Sequence, residues 1–254
     1  MTSSCVSYEV RGRCAWLTMN RPQVLNALSK EMFRDLALAL AKARKSKKVR
    51  VVAITGAGQS FSAGLDIKQV DSFASHTEAR NFVYNLVKPF WDRLFGCDKP
   101  ILAVVNGPAY GAGAEIALTS DIVIASSKSK FAFSGGRVGA LCCISGVVGP
   151  QLMSGRKLVE MNLTGNPFSA EAAREVGLVT HVVPEDRLME TATQVLEDLE
   201  RVSPISNSSF KHIRREMISS GALDVAYREL FRTITSPDFR KGAKAFVAKE
   251  TPKY

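Results

Sequence analysis

Histidine is scarce in this chain and metal-ligand spacing is missing. The three histidines, His76, His181 and His212, lie far apart, and the five cysteines form no CxxC pair. No zinc or other metal is therefore expected. An odd set of unpaired cysteines (Cys5, Cys14, Cys97, Cys142, Cys143) speaks against a disulfide framework and for a reducing, cytoplasmic setting. The N-terminal "MTSSCVSYEV" lacks the basic, apolar, small-residue order of an export signal. No apolar run is long enough to insert in a membrane. Low-complexity tracts, long linkers and close repeats are absent as well.

What is present suits one large folded body: 254 residues, 46% hydrophobic and 23% charged. A formal net charge of +10 favours an anionic partner of some kind, whether nucleic acid, membrane surface or a phosphorylated small molecule. The stretch "SYEVRGRCAWLTMNRP" alternates around Gly12 and predicts a β-hairpin. A helix is expected from about Ser29, with Met32, Phe33, Leu36, Leu40 and Ala43 on one face. The apolar runs "VRVVAIT", "ILAVV" and "DIVIAS" predict buried strands, with a helical stretch over residues 78–95 between the first two. "FAFSGGRVG" reads as a loop, and beyond about residue 146 the pattern is helical, apart from a late strand at "THVVP". His181 inside that strand reads as a satisfied structural residue. Strands and helices alternate through the first two thirds, which predicts a parallel-rich α/β core.

Two glycine-punctuated loops, "GAGQSF" and "GAGAEI", each follow a predicted strand. Both begin as GxG, but the third glycine of a dinucleotide fingerprint and the GK[ST] of a P-loop are missing. What remains is a backbone property: such loops expose amide N–H groups, and a helix beginning there adds partial positive charge. If "VVAIT" and "ILAVV" are neighbours, both loops leave the same sheet end, and two of their amides can converge on one oxygen as an oxyanion hole. If the second loop's helix starts near Gly111, Glu115 shares a face with Ala112 and brings a carboxylate beside the donor. Glu115 then reads either as a proton carrier next to a stabilised enolate or as an acidic residue complementing a helix N-terminus.

The segments "LTMNRPQVLNALS", "FSAGLDIK", "AVVNGPAYGAGAEIALTSDIVIAS", "LTGNPFSAEAAREVGLVTHVVP" and "GAKAFVAKETPKY" resemble, in order, those of the crotonase superfamily, the enoyl-CoA hydratase/isomerase family. The resemblance implies an α/β fold, a crotonase-like spiral of ββα units with a helical C-terminal part. The core would span residues 1–195, and 196–254 would support a homotrimer or a hexamer. It implies an acyl-CoA thioester as substrate, with coenzyme A part of that substrate and no separate cofactor. The oxyanion-hole donors would be the N–H groups of Leu65 and Ala112, and Glu115 the acid/base. Asp66, Ile67 and Lys68 fall where the family lines the path of coenzyme A, and Lys249 where a basic residue approaches its phosphates. Asp66 and Asp121 read equally as capping or turn residues.

One departure bears on the reaction. Family hydratases hold water between two glutamates, and the second belongs four residues after Phe131, where this chain has Gly135. Other branches place an acid slightly later, where this chain has Cys142 and Cys143. Cys143 is therefore a catalytic candidate, provided a cation such as Arg137 lowers its pKa; apolar packing is the alternative. An acyl-CoA isomerase or hydratase using Glu115 alone is the leading expectation. The alternatives are an acyl-CoA-binding pseudoenzyme and an RNA-binding protein that uses the basic run 42–50, as a family member that binds AU-rich RNA does. That run has no interleaved aromatics for base stacking, so nucleic acid is not an expected partner.

Overall fold

The computed structural model describes residues 4–252 and 254. Strands β1 (Val6–Arg11) and β2 (Cys14–Met19) form the hairpin, with Arg11 opposite Cys14 across the Gly12 turn. Helix α1 (Lys30–Lys45) is capped by Ser29, whose hydroxyl accepts from Met32 N, and the five apolar residues expected on its inner face are all buried. Strand β3 (Val51–Gly56) follows, then short α2 (Ile67–Asp71) and α3 (His76–Phe82). A wide π turn at Val83–Val87 joins α3 to α4 (Lys88–Phe95). Pro89 has no N–H to continue the ladder, which accounts for the altered turn.

Next come β4 (Ile101–Val105), two-residue β5 (Ala109–Tyr110), α5 (Ala112–Thr119), β6 (Ile122–Ser126) and β7 (Lys130–Ala132). The chain continues with α6 (Cys143–Leu152), α7 (Gly155–Thr164), β8 (Phe168–Ser169), α8 (Ala170–Glu175), β9 (His181–Val183) and α9 (Leu188–Arg201). It ends in α10 (Pro204–Glu216), α11 (Ser220–Ile234) and α12 (Pro237–Ala248). The main sheet has the order β1-β2-β3-β4-β6-β9, parallel from β2 onward, and a small sheet has the order β5-β7-β8.

Period-two alternation divides the main sheet between two cores. Ala15, Leu17, Val52, Ile54, Ala103 and Val105 face the large core with α1. Trp16, Val51, Ala53, Leu102 and Val104 face the other way, where Leu188, Ala192 and Leu196 of α9 cover them. The expected boundary at residue 195 falls inside α9, so that helix belongs to the packing of the sheet. "FAFSGGRVG" is not all loop: Phe131 pairs with Ala109 in the small sheet, a long-range pairing that no local pattern announces. His181 is exposed on the edge strand β9 and makes no side-chain hydrogen bond to a described residue, so it is not a satisfied core residue.

Candidate active site

Strands β3 and β4 are parallel neighbours, so the loops that follow them leave the sheet at one end. The first loop is held by Asn26, which is fully buried and donates through Nδ2 to Ala57 O (2.9 Å) and Ser60 O (2.8 Å). Ser62 reinforces it: its hydroxyl donates to Asn26 O (2.9 Å) and accepts from Gly64 N (3.2 Å). At Gly64 the chain has φ +88°, and a Cβ there would lie 2.7 Å from Tyr110 O and 3.3 Å from Ala112 N. Only glycine lets the two loops meet backbone to backbone.

Leu28 N donates to Gly64 O (2.7 Å) and accepts Asp66 N on its own carbonyl (3.1 Å). Both groups belong to the edge that faces Leu28, so in this extended stretch the N–H of Leu65 points to the opposite side. Ala112 is the first residue of α5, where an N–H has no intrahelical acceptor. Among the described residues neither the Leu65 nor the Ala112 N–H has a protein acceptor.

Helix α5 is buried from Ala112 to Leu118, with Glu115 only 3% exposed. Glu115 Oε1 accepts from Ile144 N (2.8 Å) and Ser145 N (2.9 Å), the free amides of the first turn of α6. Its Oε2 has no partner among the described residues. Burial pushes the Glu115 carboxyl up to about 8, against the opposing pull of the two amides. The charge it complements is thus the N-terminus of α6, thirty residues further along, rather than that of its own helix.

A pocket of about 820 Å³ opens over this cluster. Leu65, Asp66, Ile67, Lys68, Ala112, Glu115, Cys143 and Lys249 all line it. Phe33, Val87, Trp91 and Leu230 add an apolar wall. Asp66 is committed to structure: it pairs with Arg21 (3.0 Å) and caps α2 by accepting from Gln69 N (3.3 Å). Lys68 and Lys249 are exposed at the rim and make no ion pair with a described residue. Lys249 ends α12 in the left-handed region, φ 58°.

Cys143 does not meet the condition for a nucleophile. Its thiol is 5% exposed, and burial followed by the charge of Glu115 raises its pKa well above the usual value. Arg137 also lines the pocket, but its guanidinium is engaged elsewhere, donating to Thr164 O (3.1 Å) and to Asn166 Oδ1. Cys142 is raised by the same causes. Both are neutral thiols forming wall. At Gly135 a Cβ would stand 3.1 Å from Cys142 N and 3.2 Å from Cys142 Sγ, so no side chain extends into the pocket from there without displacing the 141–142 backbone. Among the described residues, no group of His, Cys, Asp and Glu could hold a metal ion.

The basic run lies before β3, at the sheet end away from these loops. Lys42 covers the Tyr8 ring (4.1 Å), Arg44 approaches Asp98 (3.9 Å) and Arg50 donates to Val202 O (2.7 Å). These are local roles that support the fold.

The α/β fold thus brings two glycine loops together beside a buried carboxylate, and sequence comparison supplies the family. The enoyl-CoA hydratase/isomerase family model matches residues 9–254, and the chain belongs to that family. It is 33% identical to a probable mitochondrial enoyl-CoA hydratase of Dictyostelium discoideum, over 96% of this chain and 88% of that protein. It is 32% identical to the 1,2-epoxyphenylacetyl-CoA isomerase of Escherichia coli (strain K12), over 94% and 93%. The crystal structure of carnitinyl-CoA hydratase from Mycobacterium avium superposes with a TM-score of 0.85 at 30% identity, covering 100% of this chain and 99% of that one. The protein is therefore an acyl-CoA-processing enzyme of the hydratase/isomerase type. No helix among the described residues is long and apolar enough to cross a membrane.

Proposed function

We propose that this enzyme moves the double bond of an enoyl-CoA ester through a thioester enolate, with Glu115 as the only acid/base. The observation that carries this reading is one buried carboxylate beside two unbonded amides, with Gly135 where a second carboxylate would stand. The thioester oxygen sits between Leu65 N–H and Ala112 N–H, which hold the negative charge that develops there. Glu115 Oε2 takes the α-proton of a β,γ-enoyl-CoA, the electron pair delocalises into the dienolate, and the same carboxyl returns the proton at the γ-carbon. The product is the conjugated α,β-enoyl-CoA, with no net change in atoms. Coenzyme A enters as part of the substrate, with Lys68 along its adenine and pantetheine path and Lys249 as the cation toward its phosphates, both being exposed residues of the pocket rim.

Hydration is the second reading, supported by the hydratase names among the relatives, such as the 2,3-dehydroadipyl-CoA hydratase of Escherichia coli (strain K12), 31% identical. Supplying the pure protein with crotonyl-CoA and with a β,γ-enoyl-CoA separates the two. Isomerisation without hydration supports the first reading, and hydration of crotonyl-CoA at a comparable rate supports the second. Binding of both esters with turnover of neither would leave a pseudoenzyme.

The same reading includes self-association. Phe210 and Ile213 of α10 and Met217 at its C-cap make an apolar stripe that is 62%, 65% and 68% exposed, and a second copy of the chain would cover it in a trimer or hexamer. Light scattering of wild type and Ile213→Asp tests this: a trimer-sized or larger species that falls to monomer supports it, and a wild-type monomer overturns it.

A further inference from the structure

Helix α6 is poorly equipped to start on its own. Its N-cap is Cys142, whose side chain makes no capping bond, and its ten residues include Gly146, Gly149 and Pro150. Two amides of its first turn, Ile144 N and Ser145 N, are satisfied from outside by Glu115 Oε1. A second helix reaches the same turn. The buried Ser145 hydroxyl stands 2.7 Å from Asn162 Oδ1 of α7 and 2.8 Å from Cys142 O, so its single proton is shared between two acceptors. Asn162 Nδ2 donates to Leu158 O (3.0 Å), which turns the amide with its oxygen toward Ser145. One turn further on, the same two helix faces meet again: a Cβ at Gly149 would lie 2.6 Å from a methyl carbon of Leu158. Residues 145 and 149 of α6 thus face 162 and 158 of α7, with a hydrogen bond at one end of the contact and close packing at the other. Among the described residues, Glu115 and Asn162 are the side chains of other elements that hydrogen-bond this turn. Asn162 does not line the pocket, so whatever it does for the reaction it does through Ser145.

We propose that Asn162 is a positioning residue: through the Ser145 hydroxyl it holds the first turn of α6 where the two amides fix Glu115 Oε1, and so keeps Oε2 aimed at the substrate carbon. This rests on Glu115 being the acid/base of the proposed reaction. A carboxyl held by one oxygen is only as well placed as its donors, and those donors belong to a helix end with no cap of its own. Misplacing a reacting group by about 1 Å is enough to slow a reaction by up to about a hundredfold.

The test uses Asn162→Leu, which keeps the bulk and removes the amide, and Ser145→Ala, the smaller change, which removes the hydroxyl. Each is assayed with a β,γ-enoyl-CoA at a pH where the rate has levelled off, so that ionisation of Glu115 does not enter. For both variants kcat is expected to fall about tenfold or more while KM stays within a few-fold. Added to Glu115→Gln, Asn162→Leu should cost nothing further, because the group it positions is already gone. A kcat that holds in both variants, with or without a lower melting temperature, would make the pair a structural contact and overturn the proposal. A further loss in the Glu115→Gln background, or a rise in KM in place of the fall in kcat, would overturn it as well. Glu115→Gln as active as wild type would remove the acid/base reading and this proposal together, whereas an inactive Glu115→Gln beside unaffected Asn162→Leu and Ser145→Ala would remove this proposal alone.

Discussion

Glu115 Oε1 lies 2.9 Å from Ser145 N, so the carboxylate of α5 caps the next long helix instead of its own. With Ile144 N as the second donor, one carboxyl oxygen is fixed and the other is left for chemistry. The fixed oxygen orients the group, and the burial that comes with it raises the carboxyl to about 8.

Glu115→Gln keeps the oxygen that accepts from Ile144 and Ser145 and loses the proton-carrying function. Turnover of a β,γ-enoyl-CoA is expected to fall roughly 10²- to 10⁴-fold, the usual contribution of a general acid–base. Calorimetric affinity for the CoA ester should stay within a few-fold. A fully active variant would remove Glu115 from the chemistry.

The pH dependence has a definite sign. Proton removal needs the carboxylate, so kcat/KM should rise with pH and level off above about 8. Stability runs the other way. The folded pKa is raised from 4.5 to about 8, so the native state holds its proton more tightly than the unfolded chain does. Stability is greatest below the lower value and is lost as pH rises through that window, by up to about 1.4 kcal/mol per pH unit. Denaturant titrations of wild type and Glu115→Gln at several pH values should show the variant gaining on wild type between those limits. A constant difference would place the carboxyl at its ordinary value.

Much of this arrangement was legible in the sequence, and what escaped has a common physical origin. The hairpin at Gly12, the Ser29 cap and the inner face of α1 are local patterns, and they appear where periodicity places them. The adjacency of "VVAIT" and "ILAVV" brings Leu65 and Ala112 to one pocket, as the two glycine loops implied. Strands β5, β7 and β8, of two or three residues, are too short to show a period and stayed hidden, whereas the equally short β9 was expected at "THVVP". The clamp of Asn26 on Ala57 and Ser60, the support from Ser62 and the hold of Ser145 on Glu115 join residues distant in the chain. So does the crowding at Gly135. The asparagine in "LNALS" and the serine in "FSAG" were visible, but their roles depend on tertiary contacts.

Ala112→Pro deletes one proposed oxyanion donor at a position where proline suits a helix start. The fold should persist by circular dichroism, while kcat drops roughly 10²- to 10³-fold, as for loss of one oxyanion donor. An unchanged kcat would exclude the Ala112 amide from the hole.

Gly135→Glu restores the hydratase pattern in sequence only. Its Cβ meets Leu141 C and Cys142 N, each at 3.1 Å, so the variant should lose about 1–3 kcal/mol of stability from overpacking. It should gain no hydration of crotonyl-CoA. Efficient hydration would show that the 141–142 segment yields to a side chain.

Cys143→Ala should keep turnover within about threefold of wild type, since small changes in a packing wall cost little. Wild type should resist inactivation by iodoacetamide at neutral pH, its thiol being buried and protonated. Rapid loss of activity on alkylation of Cys143 would reinstate it as a reactive group.

Deuterium uptake is the most direct readout of proton transfer beside a held enolate. Wild type and Glu115→Gln would be incubated in heavy water with a saturated acyl-CoA, which can enolise but has no double bond to move, and label at the α-carbon followed by NMR. Wild type should exchange the α-proton and the variant should not. Equal exchange by both, or none by a wild type shown to bind the ester, would contradict the account.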